Sequence, residues 1–279
     1  MKTALMLGTF DGVHKGHLQV LSVPCGYKKI AVTFIQSPKS VMLGKEEAIT
    51  LFEEKCRILK LAGADEIYPL DFCDVRDISA ENFLNMLYEK FSPSLISCGF
   101  NYRFGKGGEG DTELLSRFCA ERGIEFKCAN EVCFGGQTVS STLIRGYIKS
   151  GEPAAANKLL FEPFSFCAEV RQGDMRGRTI GFPTINQKYP EGLVELRHGV
   201  YKVKVITEDG EYIGISDIGL RPTYPTDGVI SETHIKDFSG NLYGKQVRII
   251  PLEFLREEKK FESIDALKEQ IAKDLDKIK

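Results

Sequence analysis

His14 and His17, two of the chain's four histidines, stand three residues apart in the run LGTFDGVHKGH, together with three glycines. Residues of these types at this spacing fit three chemistries: metal ligation, contact with a phosphate, or the capping of a helix. Gly8 and Gly12 let a chain turn sharply from strand into helix and bring backbone N–H groups near an anion. Imidazoles at i and i+3 share one face of the first helical turn. There their N–H donors and the helix dipole converge on one spot, which suits negative charge growing on a phosphoryl group. A zinc site wants a third or fourth ligand, and no cysteine or acidic cluster stands at ligand spacing. A capped helix with two surface histidines remains open on these residues alone.

Two further stretches carry phosphate chemistry. In VSSTLIRGYI, Ser140, Ser141 and Thr142 stand at a predicted helix start with Arg145 one turn in. Hydroxyls and an arginine at a helix N-terminus make a phosphate clamp, although ordinary capping explains the hydroxyls taken alone. In GRTIGFPTIN, Thr184 and Asn186 are two apart, so on an extended strand they face the same side. A hydroxyl and an amide oxygen are hard ligands suited to a Mg²⁺ that also keeps waters and nucleotide phosphates. No G-x-G-x-x-G follows the first strand, which disfavours a redox dinucleotide fold. GFNYRFGKGG has a glycine–lysine pair at the wrong spacing for a Walker A pattern, with no Ser or Thr after it.

The elements that must position these residues fall into two rhythms. Through the first 150 residues, predicted strands at Thr3–Leu7, Lys29–Ile35, Glu66–Pro69, Leu95–Cys98 and Glu125–Cys128 alternate with helical segments. That alternation implies a parallel, doubly wound sheet with its ligand outside the carboxyl ends of the strands. One helical segment places Phe52, Cys56, Leu59 and Leu61 at near-helical spacing and closes on Gly63, and another has Ser79 as its predicted N-cap. Beyond about Lys158 come strand-like runs that alternate, with Tyr201, Val203 and Val205 set against Lys202 and Lys204. They imply a small antiparallel barrel. The chain closes on an amphipathic helix capped by Ser263, with Ile264, Leu267, Ile271, Leu275 and Ile278 as its apolar stripe. KSGEPAAANKLL reads as linker and short helix, giving domains 1–157 and 158–279.

Composition limits the partners. A net charge of −2, from 37 basic and 39 acidic residues, argues against a general nucleic-acid surface. No apolar run is long enough to span a bilayer, and MKTALMLGTF reads as a buried strand rather than a signal peptide. Eight scattered cysteines with no C-x-x-C pair are expected to be reduced core residues of a cytoplasmic protein.

Together, GTFDGVHKGH and SSTLIR resemble the HxGH and SSTxxR signatures of the nucleotidylyltransferase superfamily. GRTIGFPTIN resembles the riboflavin kinase signature ending P-T-A-N, with Ile185 in place of the usual alanine. CGFNYRFGKGGEGD, HGVYKVKV, SDIGLRPTY and ETHIKDFSGNLYGK follow in order. End to end, the chain is similar to the bacterial bifunctional riboflavin kinase/FMN adenylyltransferase family, also called FAD synthetase. The resemblance implies an N-terminal Rossmann-like nucleotidylyltransferase sheet and a C-terminal kinase barrel with a terminal helix. It implies ATP, riboflavin and FMN as substrates, FMN and FAD as products, and Mg²⁺ as cofactor.

By the same resemblance His14 and His17 contact the ATP phosphates in adenylyl transfer, and Asn101 helps position the nucleotide or the flavin phosphate. Ser141, Thr142 and Arg145 hold phosphates from a mobile loop. Gly8, Thr9, Phe10, Asp11, Gly12, Arg178, Gly181, Phe182 and Pro183 line nucleotide or flavin. Thr184 and Asn186 hold Mg²⁺, and Glu232 is the base toward the terminal ribityl hydroxyl. Partners are small molecules, without nucleic acid or membrane, and the chain is a monomer or weak homo-oligomer. Two departures stand out: TFIQSP at Thr33–Pro38 replaces a T-F-x-P-H-P pattern, and the span from His17 to Thr33 is short. They motivate one alternative, a monofunctional riboflavin kinase with an impaired adenylyltransferase domain. A non-catalytic flavin-binding or regulatory protein is the other.

Overall fold

A computed structural model describes residues 2–45, 47–173, 177, 180–220 and 228–278. The chain divides into two compact units, residues 1–144 with 159–162, and residues 145–158 with 163–279.

In the first unit β1 (Lys2–Leu7), α1 (Lys15–Leu21), β2 (Tyr27–Phe34), α2 (Pro38–Leu43), α3 (Phe52–Leu61), β3 (Glu66–Leu70), α4 (Phe72–Val75) and α5 (Ala80–Phe91) lead to β4 (Leu95–Gly99). Then come α6 (Thr112–Arg122), β5 (Glu125–Ala129) and a short hairpin of β6 (Cys133–Phe134) and β7 (Gln137–Thr138). The five long strands are parallel in the order β3-β2-β1-β4-β5. Along β1, Leu5 and Leu7 enter one apolar layer while Ala4 and Met6 enter the other, as a sheet covered on both faces requires. Order reverses at β1, whose neighbours β2 and β4 lead away in opposite directions, so the carboxyl end of β1 is the topological switch point where such sheets bind ligands.

All the predicted strands of this sheet are present. The side-chain cap of Ser79 also forms, its hydroxyl accepting from Asn82 N–H at 3.3 Å. The expected stripe on α3 is corrected at one end. Leu61 is 56% exposed, and the buried face is Lys55, Ile58 and Leu59. Leu61 lies two residues beyond Leu59, about 200° round the helix, whereas Lys55 lies four before it on the same face. The cysteines are corrected too: Cys98 and Cys119 are buried, but Cys25, Cys73, Cys128, Cys133 and Cys167 are exposed. Cys128 lies on the edge strand β5 and Cys133 in the hairpin.

Helices α7 (Ser141–Ser150) and α8 (Pro153–Leu159) carry the chain onward. The second unit is a closed antiparallel barrel of β8 (Phe166–Arg171), β9 (Thr184–Lys188), β10 (Gly199–Thr207), β11 (Gly210–Leu220), β12 (Val229–Ile235) and β13 (Gln246–Arg256), in the order β10-β11-β12-β9-β8-β13. Tyr201, Val203 and Val205 are fully buried, as their alternation requires. The interior also holds polar groups. Ser216, Ser231 and Thr233 form a ring of hydroxyl hydrogen bonds at 2.8–3.1 Å. Gln187 donates to the carbonyls of Ala168 at 2.6 Å and Val247 at 2.8 Å.

Helix α9 (Ile264–Lys277) is capped by Ser263, which accepts from Ala266 N–H at 3.2 Å. Ile271, Leu275 and Ile278 pack on Val200 and Ile215, while Ile264, expected in the stripe, is 62% exposed. The first turn of α9 thus lies outside the apolar cluster that its later turns join. Polar anchorage comes from Arg256, whose Nε donates to the fully buried Asp274 at 2.8 Å, with Gln270 on the other oxygen at 2.9 Å. Removing one partner of a buried pair strands the other's charge. Asp274→Ala is therefore expected to destabilise the barrel unit by about 3 kcal/mol, measured by urea unfolding; an unchanged urea midpoint would show that the pair does not anchor the helix.

Candidate active sites

In the first unit the turn after β1 is built from the inside. Gly8 N–H donates to the Val32 carbonyl at 3.2 Å, and a Cβ at Gly8 would lie 2.9 Å from the Phe10 ring. Gly12 has φ +58°, and a Cβ there would meet Ile49 at 2.6 Å. Phe10 is buried at φ +50°, its ring edge-on to His17 at 5.2 Å. The Asp11 carboxylate accepts from Ile49 N–H at 2.8 Å and Thr50 N–H at 3.3 Å. The Thr9 carbonyl accepts from the hydroxyl of buried Thr33 at 2.8 Å and from the Lys55 ammonium at 3.4 Å. Most of the motif's side chains thus turn inward to shape the loop. Thr33 and Lys55, absent from the sequence-based candidates, hold it from below.

His14 is the N-cap of α1. Its Nδ1 accepts from Gly16 N–H at 3.1 Å and His17 N–H at 3.3 Å, while His17 Nδ1 accepts from His14 N–H at 3.4 Å. The two rings stack with centroids 3.6 Å apart. A ring nitrogen that accepts carries no proton, so each neutral imidazole carries its proton on Nε2. Burial pushes the His14 pKa down to about 4. His17 is held well below the usual histidine range, chiefly by burial, then by His14, with Lys55 adding to the depression and the Gly12 carbonyl opposing it. Amides at the start of α1 are thus taken by imidazole acceptors, and the His17 ring also donates to the Gly12 carbonyl.

Ser141, on the first turn of α7, donates to the Asp11 carbonyl at 2.8 Å, and Ser140 caps Leu143 N–H at 3.3 Å. The structure therefore brings Ser141 to the glycine turn. Thr142 is exposed, and Arg145, half-buried, continues the same helix in the second unit. Asn101 is exposed in the turn that closes β4, where Tyr102 N–H meets the Gly99 carbonyl at 3.0 Å. In the altered TFIQSP segment, Ser37 caps α2 by accepting from Ser40 N–H at 3.1 Å.

In the barrel, β9 pairs with β12 so that Asn186 lies opposite Glu232 and Thr184 opposite His234, while Asp217 on β11 lies opposite Glu232. Directly opposed residues share a face. The neighbours Gln187, Ser231 and Thr233 are buried inside, so Thr184, Asn186, Glu232 and Asp217 lie on the outer face. Asp217 keeps solvent contact, yet desolvation, then repulsion from Glu258 and Glu232 with Arg256 opposing, pushes its pKa up to about 6. Backbone packs closely over the two oxygen donors: a Cβ at Gly173 would clash with the Asn186 amide, and one at Gly177 would lie 3.3 Å from the Thr184 hydroxyl. Gly181, at φ +87°, turns the chain into β9. His234 Nδ1 donates to the Pro183 carbonyl at 2.8 Å and meets Phe182 edge-on at 5.6 Å, which makes it a support for the turn. Arg178 lies outside the described residues, as does the whole RPTY stretch after Leu220.

Paired neutral imidazoles at a switch point and a carboxylate–hydroxyl–amide face on a separate barrel define a two-unit transferase that handles phosphate esters. The family model described as FAD synthetase matches residues 1–143, and that described as riboflavin kinase matches residues 160–279. The bifunctional riboflavin kinase/FMN adenylyltransferase of Escherichia coli K12 is 33% identical over 97% of this chain and 90% of its own. That of Bacillus subtilis 168 is 30% identical over 98% and 90%. A crystal structure from Streptococcus pneumoniae, described as a macrolide-efflux protein, matches with TM-score 0.89 at 30% identity, over 99% of this chain and 93% of that one. The chain belongs to the bifunctional riboflavin kinase/FMN adenylyltransferase family. No helix among the described residues is long and apolar enough to cross a membrane.

A histidine whose pKa falls on folding favours the native state above its unfolded value, and that contribution is lost as the pH drops. For His14 the window runs from 6.5 in the unfolded chain down to about 4. Stability of the first unit is therefore expected to fall across that range. Long-range ¹H–¹⁵N spectra should show His14 as the neutral Nε2–H tautomer at pH 5.5; an imidazolium signal there would refute the assignment.

Proposed function

We infer that the chain makes FMN and then FAD: the barrel phosphorylates riboflavin with ATP, and the parallel-sheet unit transfers AMP from a second ATP to FMN, releasing pyrophosphate. The observation that supports this reading is that two separate sets of groups suited to phosphate, each on its own fold, stand in one chain. A binding protein has no need of a carboxylate base set beside two hard oxygen donors.

On the barrel, Glu232 accepts the proton of the terminal ribityl hydroxyl as that oxygen attacks the γ-phosphorus of ATP and ADP leaves. Asp217 lies directly opposite it on the neighbouring strand. Thr184 and Asn186 suit Mg²⁺: they are neutral oxygen donors two apart on one face, half-buried beneath glycine backbone with no room for a Cβ. Among the described residues no cluster of three or more histidine, cysteine or acidic side chains competes for a metal. Bound there with nucleotide phosphates, the ion would neutralise phosphate charge.

In the sheet unit, a phosphate oxygen of FMN attacks the α-phosphorus of ATP. The Nε2–H groups of His14 and His17 donate to the phosphate oxygens as charge builds, with Ser141, Thr142, Arg145 and Asn101 assigned to hold and orient phosphates. No covalent enzyme intermediate is needed. The turn residues Gly8, Thr9, Phe10, Asp11 and Gly12 shape this pocket, and Arg178, Gly181, Phe182 and Pro183 border the kinase nucleotide or flavin. Free cysteines support a reducing, cytoplasmic setting. With both sites carried by one chain, a monomer or weak homo-oligomer suffices.

One time course following riboflavin, FMN and FAD with ATP and Mg²⁺ tests the assignments. Glu232→Gln is expected to slow riboflavin phosphorylation by about 10²–10⁴ while sparing FMN adenylylation. His14→Ala is expected to do the reverse. Wild-type protein that phosphorylates riboflavin but forms no FAD from added FMN would defeat the two-step reading in favour of a monofunctional kinase.

A further inference from the structure

Lys55 is 3% exposed, although lysine is among the residues least often buried unless partnered. It sits on the inward face of α3, where the pattern of its neighbours calls for an apolar side chain. Its ammonium donates to the Phe34 carbonyl at 2.6 Å and the Thr9 carbonyl at 3.4 Å, and lies 5.4 Å from the centre of the Phe52 ring. Phe34 ends β2, and Thr9 belongs to the glycine turn that follows β1. One buried cation thus joins two chain segments at the carboxyl edge of the sheet, within electrostatic reach of His17. Thr33 donates to the same Thr9 carbonyl from the other side at 2.8 Å.

Burying a cation is costly even when it is hydrogen-bonded, and an apolar side chain there would leave the two carbonyls without their donor. A charge kept there is explained by what it does for the site it faces. We propose that Lys55 is a positioning residue for adenylyl transfer, its ammonium clamping the Thr9 and Phe34 carbonyls so that the turn bearing His14 and His17 stays fixed at the sheet edge. The cation acts on the imidazoles in a second way, by repelling a proton from His17; the titratable groups facing that ring are His14 and Lys55. Neutral rings keep Nδ1 able to accept from the backbone, so the clamp and the charge serve one geometry.

The proposal rests on the adenylyl-transfer assignment of this site, and the riboflavin kinase activity of the same chain is its internal control. Lys55→Met, Lys55→Arg and His17→Ala are compared with wild type in both half-reactions, with thermal unfolding and a pH profile of FMN adenylylation. Lys55→Met is expected to lower kcat for adenylylation at least tenfold, with KM for FMN little changed and kinase activity within twofold. Its acid limb should move to higher pH, because loss of the cation eases protonation of His17. Lys55→Arg, which keeps charge and donors, should recover much of the rate. Adenylylation within twofold of wild type in Lys55→Met would overturn the proposal. So would an equal loss in both Lys55 variants that is matched by the kinase, since that marks a role in folding alone. If His17→Ala also adenylylates at the wild-type rate, the site assignment fails rather than the role of Lys55 within it.

Discussion

The N-terminal site depends on one reciprocal interaction: His14 caps the backbone of His17, and His17 caps that of His14. Helix α1 has only seven residues, too few to hold its start by propagation of its own hydrogen bonds. The imidazoles supply the acceptors its first amides need. That use of Nδ1 dictates the tautomer, so the fold of the turn decides which ring nitrogen carries the proton. Folding and chemistry are therefore coupled through the same two nitrogens. Phe10 against His17, and Ile49 against Gly12, fill the space behind them and leave the rings one arrangement.

The barrel reaches comparable order by other means. Successive residues of a strand point to opposite faces, so β9 turns Gln187 inward while Thr184 and Asn186 face out, and β12 buries Ser231 and Thr233 on either side of Glu232. The inward polar groups bond to backbone and to one another rather than packing as hydrocarbon. Directional bonds fix strand register more tightly than apolar contact, and a slip by one residue would carry Glu232 to the inside. The hydroxyl ring and Gln187 are thus the structural counterpart of the outward row Asp217–Glu232–Asn186.

Much of this was legible in the sequence because it follows from periodicity and turn chemistry. The strand alternation, the shift to a barrel near Lys158, the caps at Ser79 and Ser263 and the shared face of Thr184 and Asn186 all rest on local rules. What escaped depends on contacts distant in sequence. Lys55 looks like any surface lysine until β2 and the glycine turn bring two carbonyls to its ammonium, 21 and 46 residues away. Leu61 and Ile264 satisfy an apolar count yet lie beyond the faces that neighbours cover. The histidine motif showed its residues but not its tautomers, since those depend on which backbone amides the rings meet.

The two sites handle phosphate with opposite electrostatics. The barrel places the Glu232 carboxylate beside that of Asp217, and on the proposed reading a cation bound with the nucleotide would neutralise phosphate charge there. The sheet unit has no proton to remove, since its attacking group is already an anionic phosphate. Imidazolium rings there would attract ground-state ATP and FMN as strongly as the transition state, and uniform binding of that kind does not speed the chemical step. On the proposed reading, neutral ring N–H donors fixed in place would respond instead to the charge that develops at phosphorus, without reorganisation. The low pKa values of His14 and His17 are on this view a requirement of the chemistry, met by burial and by a lysine kept inside the fold.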